Sequence, residues 1–218
     1  MRQSAIIFQV QGLKLEAVVS TPLIGATKYP MVVICHSHPI FNGNMEDKLI
    51  LEICRKLDTI GIGTIRFNFR GIGSSEGQFT NGHEELTDVI GALRTANNWP
   101  NVNKSKIGLI GYSFSASVII DGLTQLKQAK VLAFISPPTR SFRSFISNNK
   151  EKRPKLFIVG SDDRIANAAL MQENSDAASN CAPIRVVAHA GHNWMGKESE
   201  AANHVAEFLK REWRLKTV

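Results

Sequence analysis

The fold is decided by residues 106–116, KIGLIGYSFSA, in which an apolar segment ends at a glycine and a serine opens a helical pattern. The apolar run Lys106–Ile110 predicts a strand buried on both faces, and Ser113–Lys127 predicts a helix. Gly111 and Ser115, on either side of Ser113, are small enough for a sharp strand-to-helix turn. Such a turn presents the serine hydroxyl at the carboxyl end of a sheet, beside the free N–H groups of a helix start. Alternatively, Ser113 or Ser115 is an ordinary helix N-cap.

Outward from this turn, short apolar runs alternate with longer helical patterns, which is typical of βαβ units and a mainly parallel sheet. Ile6–Val10 and Leu13–Val19 flank the turn signal Gln11-Gly12 and predict an antiparallel hairpin. The remaining strands are predicted at Met31–Cys35, Gly63–Phe69, Lys106–Ile110, Val131–Ile135, Leu156–Val159 and Ile184–Ala188. Helices are predicted at Asn44–Thr59, His83–Asn97, Ser113–Lys127, Asn167–Ser179 and Lys197–Arg214. We therefore predict one α/β domain over residues 1–218, with about eight strands in one sheet and helices on both faces.

The composition is that of one globular domain. The 218 residues are 43% hydrophobic and 21% charged, which supports a sizeable core and excludes a disordered chain or a repetitive fibre. Since no stretch approaches the ~20 apolar residues of a membrane helix and no cleavable leader is recognisable, we expect a cytoplasmic protein without membrane insertion. Three widely spaced cysteines, Cys35, Cys54 and Cys181, predict free thiols in a reducing compartment.

A net charge of +7 raises the question of a nucleic-acid partner, but the basic residues are scattered. Their one concentration is LKREWRLK at residues 209–216. At helical spacing this segment predicts the solvated face of a last amphipathic helix. Its inward side is predicted to hold Val205, Phe208, Leu209 and Trp213 or Leu215. We therefore predict no nucleic-acid partner, and a homodimer stays open.

Two later loops carry acids and a base. Residues 160–163, GSDD, follow the strand predicted at Leu156–Val159, and Gly191-His192 follows Ile184–Ala188. Because parallel strands end at the same edge of a sheet, we expect both loops near Ser113. A serine hydroxyl is a weak nucleophile unless a base removes its proton and a third group orients that base. Alternatively, the aspartates are solvated turn residues and the histidine makes a structural bond.

The chain resembles the α/β-hydrolase superfamily, and within it the small cap-less serine esterases that are similar to dienelactone hydrolase. The resemblance covers nearly the whole chain and rests on five motifs in the family's order and spacing. They are HSHP at 36–39, RGIGSSEG at 70–77, IGYSFSA at 110–116, GSDD at 160–163 and GH at 191–192. This resemblance implies a serine, acid, histidine order along the chain.

The resemblance implies Ser113 as nucleophile, His192 as base and, three residues after the glycine, Asp163 as the acid, with Asp162 the other possible acid. It also implies an oxyanion hole formed by the backbone N–H groups of His38 and Phe114. No cofactor and no metal is implied.

At two positions the chain departs from the family pattern. Ser37 and Ser115 stand where glycine is usual.

Three alternative interpretations concern particular motifs and residues. The glycines of residues 70–77 could cradle a phosphate, but their spacing fits neither the dinucleotide motif nor a P-loop, so we predict a turn beneath the site. His36 and His38, with His189, His192 and the aspartates, could hold a metal ion, but the turn at Ser113 would then be unexplained. His36 is interpreted as a structural hydrogen-bonding residue, as is usual in loops of this kind, with no catalytic role. Cys35 is interpreted as a small buried residue rather than a reactive thiol.

Only about 20 residues separate the strands predicted at Val131–Ile135 and Leu156–Val159, too few for a substrate-covering cap. We therefore expect an open cleft, with Phe41, Met45, Phe142 and Trp194 binding substrate and Phe114 and Phe145 at its edge. Such a cleft suits the short or otherwise accessible acyl group of a small-molecule ester or thioester. The alternative function, from a different functional class, is that of a protein with a hydrolase-like fold that binds a small molecule without catalysis.

Overall fold

The computed structural model describes residues 2–22, 28–147, 151–174, 176, 181 and 183–215. Within these residues, the strands are β1 (Arg2–Val10), β2 (Leu13–Thr21), β3 (Tyr29–Cys35), β4 (Gly63–Phe67), β5 (Val102–Tyr112), β6 (Val131–Ile135), β7 (Lys155–Gly160) and β8 (Arg185–Val187). The helices are α1 (Lys48–Asp58), α2 (Glu85–Asn98), α3 (Phe114–Asp121), α4 (Thr139–Ser147), α5 (Ala168–Glu173) and α6 (Glu198–Glu212). A short 3₁₀ turn, Pro39–Phe41, follows β3.

All eight strands form one sheet in the order β1-β2-β4-β3-β5-β6-β7-β8. The hairpin of β1 and β2 is antiparallel, as predicted, and β2 joins β4 in antiparallel pairing. From β4 to β8 every pairing is parallel. The loops after β3, β5, β7 and β8 therefore emerge at one edge of the sheet, which is where the candidate motifs lie.

Two buried clusters cover the faces of the sheet, so the predicted α/β layering is confirmed. Helices α1 and α6 pack on one face, and α2, α3 and α4 pack on the other. In α6 the predicted inward residues Val205, Phe208 and Leu209 are buried, as is Trp213 directly after the helix. Cys35 and Cys54 are buried free thiols, and burial raises the pKa of both. Cys35 is thus a core residue, as expected.

Several boundaries differ from the prediction. Helix α1 begins at Lys48 instead of Asn44 because the Asp47 carboxylate caps it, accepting from the Leu49 N–H at 2.8 Å. Helix α3 ends at Asp121 rather than Lys127. It stops at Gly122, where a Cβ would overlap the Leu86 side chain of α2. Part of the helix predicted at Asn167–Ser179 lies outside the described residues.

One helix, α4, occupies the described part of the connection between β6 and β7, and no cap stands there. In the glycine-rich segment after β4, Arg70 is buried and its guanidinium binds the Asp88 carboxylate and the Glu84 side chain. That segment is therefore a structural turn, as predicted, tied to α2. Among the described helices, none has the length and apolar character needed to span a bilayer.

Candidate active site

Ser113 lies at the turn between β5 and α3 in a strained backbone conformation, with φ 55° and ψ −107°. Its N–H donates to the Ile135 carbonyl at 2.8 Å, and its side chain makes no capping bond to α3. Gly111 is needed beside it, because a Cβ there would stand 2.8 Å from the Ala116 backbone. The alternative that Ser113 is an ordinary N-cap is therefore wrong. The strained turn leaves its hydroxyl available for another partner.

Ser115 explains how the turn tolerates a serine where glycine is usual. Its side chain is fully buried, and Oγ accepts from the Tyr112 N–H at 2.8 Å and donates to the Cys35 carbonyl at 2.8 Å. Oγ thus joins the turn to the end of β3, from which the HSHP loop emerges. Both partners are buried backbone groups that would otherwise lack this bond.

Replacing Ser115 by alanine is expected to lower the free energy of unfolding by about 2 kcal/mol, because two buried backbone groups lose their partner. Urea unfolding measures the effect. The matched control is Ser113→Ala on the same turn, for which we expect a change within about 0.5 kcal/mol. Equal stabilities of the two variants would contradict the anchoring role of Ser115.

Ser113, His192 and Asp163 form a hydrogen-bonded chain across three loops. Ser113 Oγ lies 2.7 Å from His192 Nε2, and His192 Nδ1 lies 2.9 Å from both carboxylate oxygens of Asp163. An ionised Asp163 can only accept from Nδ1, which leaves Nε2 to accept the serine hydroxyl. The structure therefore brings together the serine, histidine and acid named from the sequence.

The two neighbouring aspartates differ in their surroundings. Asp163 has a fully buried carboxylate, whose Oδ1 also accepts from the N–H groups of Ile165 and Ala166 at 2.9 and 2.8 Å. Burial by itself raises the pKa of Asp163, but hydrogen bonds led by that from His192 hold the pKa below its usual value. Asp162 is exposed and accepts from the Ser161 hydroxyl at 2.7 Å instead. Only Asp163 contacts the histidine.

Two contacts position the histidine loop. The Tyr112 hydroxyl donates to the His192 carbonyl at 2.7 Å, so the residue before Ser113 fixes the backbone of the histidine. At the end of β7, a Cβ on Gly160 would overlap the Ala190 backbone, so the glycine lets the acid and histidine loops pack closely. Neither contact was predicted from the sequence.

The HSHP loop, residues 36–39, is held beside the Ser113 turn by hydrogen bonds and a ring contact of His38. His38 Nδ1 accepts from the Ile40 N–H at 3.2 Å, so Nε2 carries the proton and donates to Asn81 Oδ1 at 3.0 Å. The ring of His38 also packs edge-on against Phe114, with centroids 5.0 Å apart. Phe114 is the first residue of α3, and N–H groups in the first turn of a helix have no intrahelical acceptor.

Ser37 packs against a glycine of the same loop. Gly43 packs against Ser37 so closely that a Cβ there would overlap the Ser37 carbonyl. The loop closes through bonds from the N–H groups of Phe41 and Gly43 to the His38 carbonyl.

His36 is a structural residue, as expected. It is fully buried, with Nδ1 donating to the Ser37 carbonyl at 2.7 Å and Nε2 accepting from the Phe69 N–H at 3.2 Å. This pattern uses both ring nitrogens of a neutral imidazole. Burial lowers the pKa of His36 to about 4.

The buried neutral His36 should make the protein less stable in mild acid. Its pKa is depressed from 6.5 in the unfolded chain to about 4 in the fold, so its stabilisation is present above pH 6.5 and is lost as the pH falls toward 4. The full loss corresponds to about 3 kcal/mol of unfolding free energy. Urea unfolding between pH 7 and pH 4.5 measures it. His36→Gln should be less stable at pH 7 yet show a shallower pH dependence, and an unchanged slope would contradict this account.

A cavity of about 540 Å³ opens at Ser113. Its lining residues are Ser37, His38, Phe41, Asn42, Asp47, Tyr112, Ser113, Asp162, Arg164, Ile165, His192 and Asn193. Tyr112, Asp47, Arg164 and Ile165 were not predicted. Arg164 and Ile165 directly follow Asp163, so the rule that placed the acid at this edge could also have found them.

Of the four side chains predicted to bind substrate, one lines the cavity. Phe41 does so, the prediction is wrong for Phe142 and Trp194, and for Met45 it stays a prediction. Phe142 is fully buried and packs edge-on against Phe157, and Trp194 is fully buried with Nε1 donating to Ser136 Oγ at 3.0 Å. Met45 is only partly buried, but its backbone is bound to Asn68 and it is not among the lining residues.

Phe114 and Phe145, expected at the edge of the cleft, are buried core residues. His36 and His38 turn to different partners, and in the described ranges no group of three or more His, Cys, Asp or Glu side chains could hold a metal ion.

The fold and this site define an α/β-hydrolase of the serine hydrolase type. Over residues 11–215 the chain matches the family described as X-Pro dipeptidyl-peptidase (S15 family), and it belongs to that family.

Solved structures agree with this class. An alpha-beta serine hydrolase homologue from Coxiella burnetii is 27% identical, with a TM-score of 0.81 over 95% of this chain and 97% of that one. A protein of unknown function from Agrobacterium tumefaciens is 26% identical, with a TM-score of 0.82 over 97% of each chain. A serine hydrolase without a lid from Xanthomonas campestris shares the fold, at 22% identity and a TM-score of 0.79 over 98% of this chain and 95% of that one.

Proposed function

We propose that this protein cleaves a carboxylic ester or thioester of a small, accessible acyl substrate through an acyl-enzyme formed on Ser113. The observation that carries the proposal is the hydrogen-bonded chain from Ser113 Oγ through His192 to the buried carboxylate of Asp163. This arrangement gives a weak nucleophile a base, and gives the base a group that fixes its tautomer.

In the first half of the reaction, His192 Nε2 takes the hydroxyl proton while Ser113 Oγ bonds to the carbonyl carbon. The backbone N–H groups of His38 and Phe114 donate to the carbonyl oxygen as it becomes negative. The alcohol or thiol then leaves with the proton held by His192, and the acyl group stays on Ser113. Asp163 remains ionised throughout and stabilises the charged histidine.

In the second half, His192 takes a proton from a water molecule that attacks the acyl carbon. The carboxylic acid leaves, and the proton returns to Ser113 Oγ. The open cavity supports this step, because water can reach the acyl carbon without the movement of a cap.

A second candidate is the removal of X-Pro dipeptides from the amino end of peptides, which the family description favours. It would use the same Ser113 chemistry on an amide. Asp47 and Asp162 line the cavity, and the exposed Asp162 offers a carboxylate suited to the ammonium group of such a substrate. Family membership alone does not assign the substrate, because related folds carry many activities.

The test combines labelling with a substrate panel. We expect a fluorophosphonate probe to label the native protein at Ser113 and to leave Ser113→Ala unlabelled. The panel contains nitrophenyl esters, a thioester and an X-Pro nitroanilide, compared by kcat/KM. Faster cleavage of the ester or thioester supports the proposal, whereas cleavage of the X-Pro amide alone supports the peptidase. Labelling that survives Ser113→Ala would exclude Ser113 as the nucleophile, and no labelling with no turnover would favour a binding protein.

A further inference from the structure

Exposed apolar side chains gather around the candidate site. Within the described residues, the large hydrophobic side chains that remain exposed are Ile7, Ile40, Phe41, Leu51, Ile165 and Met195. Four of the six lie on the loops that follow β3, β7 and β8, and we call them the apolar rim: Ile40, Phe41, Ile165 and Met195. A scatter of single exposed hydrophobics is ordinary, but their concentration at one place marks a binding surface.

The rim is continuous with the cavity that holds Ser113. Phe41, which is 74% exposed, and Ile165, which is 46% exposed, both line that cavity together with Ser113 and His192. Ile40 and Met195 lie at the same sheet edge, Ile40 next to Phe41 and Met195 on the loop that carries His192. A substrate bound at Ser113 shares its cavity with Phe41 and Ile165. An apolar part of that substrate is therefore the occupant that fits these side chains.

We propose that the apolar rim binds an apolar chain of the substrate, so that among small esters those with a chain of several methylenes are preferred to acetyl esters. This differs from the short acyl group expected from the sequence, which took no account of the exposed apolar side chains beside the cavity. This inference rests on the function proposed above. A cavity of about 540 Å³ is larger than an acetyl group needs. The chain can belong to the acyl part or to the alcohol part, since both extend from the same carbonyl.

The experiment uses 4-nitrophenyl acetate, butyrate, hexanoate and octanoate with the full-length protein, below the concentrations at which the esters aggregate. Full burial of one methylene corresponds to about fourfold in affinity. A rim open to solvent on one side should give about half of that free energy, so we expect kcat/KM to rise about twofold per methylene. A second series keeps acetyl constant and lengthens the alcohol, which shows the part of the ester that lies on the rim.

Two double variants are tested. The first combines Phe41→Ser with Ile165→Ser, and the second combines Ile165→Ser with Met195→Ser. The second keeps Phe41 in place, because Phe41 also contacts His38. In both we expect the octanoate-to-acetate ratio of kcat/KM to fall at least fivefold (roughly the burial of one methylene or more). The matched control is Ile7→Ser, which removes a side chain of 67% exposure from the β1 edge strand and should leave the ratio unchanged.

The outcomes separate this inference from the proposed function. A ratio near one in the native protein for both series, with acetate hydrolysis still dependent on Ser113, overturns the rim and leaves the function. A chain-length preference that both rim variants keep also overturns it. No Ser113-dependent hydrolysis of any ester overturns the function itself. A preference that only the rim variants lose supports the proposal.

Discussion

Replacing Ser113 by alanine is expected to lower kcat for ester hydrolysis by about 10⁴-fold or more. Alanine has no atom that can accept the acyl group, so the acyl-enzyme cannot form. What remains is the slow attack of water on an ester held near the oxyanion-hole donors. The measurement is steady-state hydrolysis of a 4-nitrophenyl ester. The concentration of active native protein is determined from the fraction of Ser113 that the fluorophosphonate probe labels.

Two controls make this loss interpretable. Ser113→Ala should unfold at nearly the same urea concentration as the native protein, because the serine hydroxyl bonds only to a side chain at the cavity surface. Ser115→Ala should be less stable but still react with the fluorophosphonate probe. A Ser113→Ala variant that keeps a tenth of the native kcat would show that hydrolysis takes another route.

The sheet could be predicted because its signals are local. The strands β3, β5, β6 and β7 each contain a continuous apolar run, and helical periodicity follows them along the chain, so most of the layering follows from composition and spacing. The strand β4 departs from this pattern, because it carries Thr64 and Arg66. The helix ends could not be predicted in the same way. Helix α3 ends at Asp121, before Gly122, and no pattern within 113–127 records that Gly122 lies directly against Leu86 of α2.

The positions of Ser113, Asp163 and His192 could be predicted because parallel strands deliver their following loops to one edge. The wall of the cavity could not. Trp194 stands two residues after His192, yet it turns inward to Ser136 because burial of a large aromatic ring outweighs exposure at the mouth. Phe142 is likewise taken by the core. Sequence spacing places a loop at the edge, whereas packing decides which side chains of the loop point inward.

The two departures from the usual glycines show how the fold accommodates them. Ser37 is accommodated beside Gly43, because a Cβ at position 43 would overlap the Ser37 carbonyl and its Oγ. Ser115 is tolerated because its hydroxyl finds two backbone partners inside the turn. Both accommodations depend on contacts with other parts of the backbone. A sequence pattern shows that the usual glycine is missing at each position, but it does not show these contacts.

Replacing Asp163 by asparagine is expected to lower kcat by about 10³- to 10⁴-fold, with little change in KM. Asp163 Oδ1 accepts from the N–H groups of Ile165 and Ala166, so the single oxygen of the asparagine will stay with those donors. Its amide NH₂ then faces His192 Nδ1, which must become an acceptor. The proton moves to Nε2, where the histidine can no longer take the proton of Ser113. Steady-state kinetics with a 4-nitrophenyl ester measure the loss.

Asp162→Asn is the matched comparison, since it removes the same charge one residue away on the same loop. Asp162 lines the cavity but bonds to Ser161 rather than to His192, so we expect kcat to fall by less than about tenfold. A general effect of negative charge near the site would weaken both variants alike. Equal losses of kcat in the two variants would contradict the tautomer argument. A larger loss of kcat for Asp162→Asn would indicate Asp162 as the acid.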